Sequence, residues 1–158
     1  MPSILFVCTA NQFRSPIAAA CLLKQIEQEN IDNKWKVESA GTWAENGLRA
    51  PGITLQVAAS LGLSGLESHL TRQVDGDLLD PFDLIILMEV GHKEAIGSEF
   101  PSIRQRLYLL SEIVEGISYD IPDPAYLGVD PFDIGREIYE MIAQGKEKIL
   151  QLAESLCR

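Results

Sequence analysis

The alternation of short predicted strands with helical patterns is the feature that most constrains the fold of this chain. Four segments are predicted to be β-strands, at residues 3–8, 35–40, 83–88 and 105–110. Helical patterns lie between and after them, at residues 16–29, 51–61, 71–79, 89–97 and 131–156. Residues 83–88 are short and continuously apolar after Asp83, which is typical of a central strand in a parallel sheet. Strands that alternate with helices therefore predict an α/β domain with a parallel sheet and right-handed crossovers.

The first predicted strand leads into a loop that begins with a thiol and ends with a guanidinium. Cys8 and Arg14 bracket this loop, and the next two residues, Ser15 and Pro16, suit the N-cap and the first position of a helix. A helix N-terminus offers unpaired N–H groups and a positive dipole end, which stabilise a phosphate or a thiolate. Arg14 can bind two phosphoryl oxygens bidentately. The segment thus indicates an anion site with a cysteine nucleophile.

The loop alone leaves a second interpretation open. A buried, unreactive cysteine at the end of a core strand is common, and arginine is usually solvent-exposed. A bare Cys-x5-Arg spacing also arises by accident. On this interpretation Cys8 is a small apolar core residue and Arg14 is a surface charge.

Nearly the whole chain resembles the low-molecular-weight protein tyrosine phosphatases. The landmarks occur in the order of that family: Cys8 to Pro16, Ser39-Ala40-Gly41-Thr42, Pro51 with the helical stretch after it, His69-Leu70-Thr71-Arg72-Gln73, Phe82 to Met88, and Ile121-Pro122-Asp123-Pro124. The resemblance implies a four-stranded parallel sheet in the order 2-1-3-4, with helices on both faces. The loop after strand 1 would then lie beside the switch in strand order, where open α/β sheets bind ligands.

The resemblance also implies the catalytic roles. Cys8 would be the nucleophile, Arg14 the phosphate clamp and Asp123 the general acid, in a reaction through a phosphocysteine intermediate. Ser15 would stabilise the thiolate with its hydroxyl.

Binding and supporting residues follow from the same resemblance. The predicted substrate-binding residues are Thr9, Ala10, Asn11, Gln12, Phe13, Ser15 and Tyr126. Asn11, Ser39 and His69 would form a hydrogen-bond network that holds the loop in shape. Asparagine tolerates the left-handed backbone conformation that such a loop requires.

Departures from the family pattern bear on the substrate. Phe13 stands where many members carry a second cysteine, so no disulfide switch with Cys8 is expected. Gln12 replaces a residue that is often apolar, and Ala125 replaces one of two aromatic residues after the Asp-Pro pair. Phe13 and Trp43 are candidates to replace that aromatic wall, although Trp43 is equally suited to the core.

Length and composition fit one small domain over residues 1–158. A chain of 158 residues with 46% hydrophobic residues can bury a proper core. No apolar run approaches the ~20 residues of a membrane span, and no signal-peptide pattern precedes the first strand.

Three cysteines, an odd number, indicate a reducing environment. A cytoplasmic location is therefore expected.

The acidic charge balance restricts the possible partners. There are 13 basic and 23 acidic residues, which give a net charge of −10. This argues against a nucleic acid or an anionic membrane as a partner. The expected partner is a phosphorylated protein, and the predicted chemistry uses no metal ion and no cofactor. The sequence leaves the oligomeric state open.

Hydrolysis of phosphotyrosine in proteins is the function that the sequence favours. Hydrolysis of phosphoarginine on the same scaffold is an alternative that Thr9, Gln12 and Ala125 leave open. Arsenate reduction is disfavoured because residues 80–100 contain no relay cysteine. A non-catalytic anion-binding module is disfavoured because the predicted nucleophile and the predicted acid are both present.

Overall fold

The computed structural model describes residues 1–158 and contains one four-stranded parallel sheet. Its strands are β1 (Ser3–Cys8), β2 (Lys36–Gly41), β3 (Leu84–Leu87) and β4 (Leu107–Leu109). The spatial order is β2-β1-β3-β4, and each neighbouring pair is parallel. The fold class and the strand order expected from the sequence are confirmed.

Helices connect and cover the strands. They are α1 (Arg14–Gln28), α2 (Gly52–Ser60), α3 (Gly76–Leu79), α4 (Val90–Glu99), α5 (Leu110–Glu115) and α6 (Pro131–Leu156). Helix α6 begins at Pro131 because the Asp130 side chain accepts a hydrogen bond from the Phe132 N–H at 2.9 Å. Helix α2 ends just before Gly62, whose φ of 68° suits a glycine. None of these helices combines the length and the apolar character that crossing a bilayer requires.

The helical prediction for residues 71–79 is only partly correct. Helix α3 covers Gly76–Leu79 alone. The preceding residues are extended beside the end of β2, since the Gly41 N–H donates to the Arg72 carbonyl at 2.8 Å and the Val74 N–H donates to the Gly41 carbonyl at 2.9 Å. Pairing with a distant strand therefore overrides the local helical pattern.

The fourth strand is shorter than predicted, and the sequence pattern misses the helix after it. Strand β4 spans Leu107–Leu109, and α5 starts at the next residue. The Glu112 side chain accepts a hydrogen bond from the Leu109 N–H at 2.8 Å, which caps the start of α5. Gly116 follows its end with a φ of 73°. An apolar run of this length does not distinguish strand from helix by periodicity.

Strand β1 separates two apolar layers because successive side chains point to opposite faces. Ile4 and Phe6 pack in the layer that includes residues of α1, α2, α5 and α6. Leu5 and Val7 pack in the layer that includes residues of α3 and α4. All residues of β1 are buried. Helices therefore cover both faces of the sheet, as predicted.

The carboxyl ends of β1 and β3 lie side by side. Val7 of β1 is paired with Leu87 of β3, so Cys8 and Met88 follow at the same edge of the sheet. A third segment joins this edge, because the Ile121 N–H donates to the Met88 carbonyl at 2.9 Å. Three segments that are distant in the sequence thus converge at the edge where open α/β sheets bind ligands.

Replacement of Gly145 by alanine tests the contact between α5 and α6. A Cβ at this position would lie 2.5 Å from Val114 Cγ2. Overpacking of this kind costs about 1–3 kcal/mol, whereas the gain in helix propensity is at most about 1 kcal/mol. We expect Gly145→Ala to lower the free energy of unfolding by about 1 kcal/mol in urea titrations.

Gly52→Ala is the matched control for this substitution. Gly52 is also helical, and a Cβ there would meet no atom within 4 Å. It should leave the stability unchanged or slightly raised. Equal stabilisation by both substitutions would show that α5 and α6 are not in close contact at Gly145.

Candidate active site

The loop of residues 9–13, between β1 and α1, carries unpaired backbone donors. None of its N–H groups donates to another group of the chain. Asn11 has a φ of 58°, so the loop turns through a left-handed residue, as the sequence predicts. Buried N–H groups are almost always paired in folded proteins. A run of free donors at a helix N-terminus therefore indicates an anion site.

Side-chain hydrogen bonds of Asn11 hold this loop in shape. Its Nδ2 donates to Ser15 Oγ at 2.8 Å and to Ser39 Oγ at 3.0 Å. Its Oδ1 accepts from the Arg72 N–H at 2.9 Å, and its carbonyl accepts from His69 Nε2 at 2.8 Å. Asn11 is fully buried. The structure thus brings together Asn11, Ser39 and His69, the residues predicted to support the loop.

Close approach of β2 also restricts the loop. A Cβ on Gly41 would lie 3.0 Å from the Asn11 nitrogen, and it would also collide with the Thr9 carbonyl oxygen. The Trp43 N–H donates to that same carbonyl at 2.9 Å. The glycine that ends β2 is therefore required for the loop and the strand to lie this close.

Ser15 is not the helix N-cap, contrary to the sequence prediction. Helix α1 begins at Arg14, Phe13 occupies the N-cap position, and no side chain caps it. The Ser15 hydroxyl instead points into the loop, where its Oγ lies 3.0 Å from Cys8 Sγ and 3.2 Å from the Ala40 carbonyl oxygen. A hydroxyl has one proton. It can therefore donate to the sulfur or to the carbonyl, but not to both.

Arg14 is a buried charge rather than a surface charge. Only 2% of the residue is exposed. Its Nη1 donates to Glu89 Oε2 at 2.5 Å and to the Ile121 carbonyl at 2.8 Å. Its Nη2 lies 3.3 Å from Thr9 Oγ1 and 3.4 Å from Asp123 Oδ2. Buried charges of this type require paired partners, so the guanidinium is held in one orientation.

One pocket contains all three residues predicted to be catalytic. Cys8, Arg14 and Asp123 line it together. The rest of its wall is mainly apolar and comes from three parts of the chain: Ala10, Gln12 and Phe13; Pro51, Ile53 and Thr54; and Pro124, Ala125 and Pro131. The combination of a thiol, a guanidinium, a carboxyl and apolar walls suits the phosphate ester of a bulky organic group.

Other predicted binding residues lie outside the pocket lining. Thr9, Asn11 and Ser15 turn their side chains into the hydrogen bonds described above. Tyr126 is 62% exposed on the turn after Asp123, where its N–H donates to the Asp123 carbonyl at 3.0 Å. Trp43 is 85% exposed and is not part of the core. Phe13 is therefore the aromatic side chain that lines the pocket.

Two residues beside Arg14 were not predicted to belong to the site. Glu89 follows β3 and pairs with Arg14. His92 in α4 lies with its Nε2 2.9 Å from Thr9 Oγ1. Their position after a buried strand could have indicated that they belong to the site, because the carboxyl ends of neighbouring parallel strands share one edge of the sheet.

Comparisons with known proteins agree with this geometry. A family model described as low molecular weight phosphotyrosine protein phosphatase matches residues 3–158. A protein-arginine-phosphatase of Bacillus subtilis (strain 168) is 33% identical over 156 residues, covering 97% of this chain and 95% of that protein. A low molecular weight protein-tyrosine-phosphatase of Streptomyces coelicolor is 34% identical over 149 residues, covering 90% and 89%. The solved structure of an arginine phosphatase from Geobacillus stearothermophilus is similar with a TM-score of 0.82 and 30% identity, covering 96% of this chain and 94% of that chain.

The cysteines differ in their surroundings, and this predicts their reactivity. Cys8 lines the pocket and Cys157 is exposed, whereas Cys21 is buried, and its burial raises its pKa to about 12. The thiolate is the reactive form. We expect iodoacetamide at pH 7 to alkylate Cys8 and Cys157 in the folded protein and Cys21 only after unfolding, as mapped by mass spectrometry.

Inorganic phosphate provides the control for this labelling experiment. It should slow alkylation of Cys8 and leave the rate at Cys157 unchanged, because only Cys8 lies in the anion site. Alkylation of Cys21 at the rate of Cys157 would contradict the packing described here.

Proposed function

This chain belongs to the low molecular weight phosphotyrosine protein phosphatase family, and we propose that it hydrolyses phosphotyrosine in proteins through a phosphocysteine intermediate. One observation carries the proposal. Cys8, Arg14 and Asp123 line a single pocket beside a loop whose backbone N–H groups are unpaired. This arrangement supplies a nucleophile, an anion site and a proton donor within reach of one bound phosphate ester.

The first chemical step transfers the phosphoryl group to sulfur. The Cys8 thiolate attacks phosphorus, the S–P bond forms, and the P–O bond to the leaving group breaks. Asp123 donates its proton to the departing oxygen. The Ser15 hydroxyl, 3.0 Å from the sulfur, can donate a hydrogen bond to the thiolate before attack.

The second step releases phosphate. Asp123, now a carboxylate, accepts a proton from a water molecule as the water oxygen attacks phosphorus. The S–P bond breaks, and Cys8 returns as a thiolate. Negative charge on the phosphoryl oxygens is stabilised in both steps by the N–H groups of residues 9–13 and by Arg14.

The orientation of Arg14 determines which nitrogens serve the phosphoryl group. Its Nη1 is held by Glu89 and by the Ile121 carbonyl. Its Nη2 has only the longer contacts to Thr9 and Asp123. We therefore assign binding of the phosphoryl oxygens to Nη2 and Nε, which leaves the Glu89 contact in place during the reaction.

The apolar pocket walls favour an aromatic leaving group. Phe13, Ile53 and Pro124 can contact a phenyl ring, and Ala125 leaves room for it.

Phosphoarginine is a second candidate that two observations support. Gln12 and Asp123 are polar groups in the wall that could bind a guanidinium, and relatives of similar identity are named arginine phosphatases.

Hydrolysis of p-nitrophenyl phosphate by matched variants tests the proposed mechanism. The wild-type protein should be active, Cys8→Ser should be inactive, and Asp123→Ala should be slower by about 10²-fold or more. The Asp123→Ala loss should be greater for a phosphotyrosine peptide than for p-nitrophenyl phosphate, because nitrophenolate leaves without needing a proton. Asp133→Asn, an exchange on the exposed surface, should leave turnover unchanged.

Other outcomes would identify the alternative functions. Retained turnover in Cys8→Ser would exclude the phosphocysteine mechanism. Phosphate binding without turnover would indicate a non-catalytic anion-binding module. Thioredoxin-coupled arsenate turnover would indicate arsenate reduction, which is disfavoured since Cys8 is the one cysteine in the pocket lining.

A panel of phosphopeptides tests the substrate class. We expect phosphotyrosine peptides to be hydrolysed faster than phosphoarginine or phosphoserine peptides, because the apolar walls bind the tyrosine ring. Gln12→Leu should leave phosphotyrosine turnover unchanged. If phosphoarginine is the substrate instead, the same exchange should lower its kcat/KM by about tenfold through loss of a polar contact.

A further inference from the structure

A buried histidine lies behind the pocket, and the chemistry proposed above does not use it. His92 is in the first turn of α4 and is 7% exposed. Its Nε2 lies 2.9 Å from Thr9 Oγ1, and its Nδ1 is buried without a hydrogen-bond partner. A buried polar side chain with an unsatisfied atom costs free energy. Nε2 is therefore the atom through which this side chain can act on the site.

His92 is connected to both terminal nitrogens of Arg14. Thr9 Oγ1, which contacts His92, lies 3.3 Å from Arg14 Nη2. Glu89 Oε2, which binds Arg14 Nη1, lies 3.7 Å from His92 Nε2. The four side chains therefore form one cluster, with the guanidinium on the pocket side and the imidazole on the buried side.

The inventory of donors restricts the direction of the protons in this cluster. Arg14 can only donate, so Thr9 Oγ1 accepts from Nη2. The single hydroxyl proton of Thr9 is then free to be donated to His92 when Nε2 carries no hydrogen, as in one tautomer of the neutral imidazole. A neutral imidazole that accepts from Thr9 therefore fits the contacts of both side chains.

Burial of His92 favours its neutral form. Burial lowers the pKa of His92, an effect opposed by the Glu89 carboxylate and assisted by the Arg14 guanidinium. The Asp120 and Asp123 carboxylates also act to raise this pKa. The effect of burial is larger, so the pKa of His92 lies below its usual value. The lowered pKa favours a neutral imidazole, which does not compete with Arg14 for Glu89 as a charged partner.

We propose that His92 is a positioning residue, which orients the Thr9 hydroxyl and thereby holds Arg14 Nη2 toward the phosphoryl group. The proposal rests on the function proposed above and deepens it. His92 does not line the pocket, so it acts through Thr9 rather than on the substrate. Small errors in the placement of a catalytic group can cost as much as about 10²-fold in rate.

A pair of substitutions separates the hydrogen bond from the packing of the side chain. Gln places an acceptor near the position of Nε2, whereas Leu fills similar space with no acceptor. We expect His92→Leu to lower kcat/KM for p-nitrophenyl phosphate by about tenfold and His92→Gln to restore most of that loss. Ile96→Val is the control, because Ile96 is another buried side chain of the same helix and packs in an apolar cluster.

A double-mutant cycle tests whether His92 acts through Thr9. If it does, Thr9→Val should cause a loss similar to that of His92→Leu, and the double variant should be no worse than either single variant. Additive losses would overturn the proposal. It would equally be overturned if His92→Leu lost no more activity than Ile96→Val, or if His92→Gln were as impaired as His92→Leu.

Binding of inorganic phosphate distinguishes failure of this proposal from failure of the proposed function. Calorimetry on the wild-type protein and the two His92 variants needs no turnover. About tenfold weaker binding by His92→Leu, with recovery in His92→Gln, would support positioning of Arg14 even if the wild-type protein hydrolysed no phosphate ester. Equal phosphate affinity in all three proteins would overturn the positioning role, whether or not the protein is a phosphatase.

Discussion

Burial of the Arg14 guanidinium is the constraint on which the site depends. A charge taken out of water must be paired and hydrogen-bonded, or the structure is strongly destabilised. Arg14 is in the first helix, yet its partners follow β3 and lie in the segment that precedes α6. The pocket can therefore form only when these three parts of the chain meet at one edge of the sheet. Formation of the anion site and completion of the fold are linked by this single side chain.

The acidic surface and the anion site act over different distances. The net charge of −10 opposes the approach of a phosphorylated substrate at low ionic strength. At physiological salt, surface charge is screened beyond about 8 Å. Inside the pocket, the backbone donors of residues 9–13 and the buried Arg14 act at hydrogen-bond distance, where screening is small. The overall charge thus affects the rate of encounter more than the binding of the phosphoryl group.

Local patterns predicted most of the fold and the chemical groups of the site. The strands, the longest helix and the left-handed Asn11 depend on neighbouring residues, so they could be read from short segments. Helix α5 was missed because a short apolar run does not distinguish strand from helix, whereas two other misses have a different cause. The extended residues before α3 pair with Gly41, and Ser15 leaves the N-cap position to contact Cys8, because distant partners outweigh local preference. Glu89 and His92 were missed because their partners are remote in the sequence.

The sequence by itself determined the alternation of strands and helices and the presence of a thiol, a guanidinium and a carboxyl in suitable segments. These features depend on periodicity and residue type, which are local properties. Only the tertiary structure decided which of these groups meet. Arg14 and Glu89 are 75 positions apart, and Arg14 and Asp123 are 109 positions apart. Their contacts exist because the parallel strands β1 and β3 bring their carboxyl ends to one edge, where the Ile121 N–H also binds the Met88 carbonyl, and no short segment of the chain contains that information.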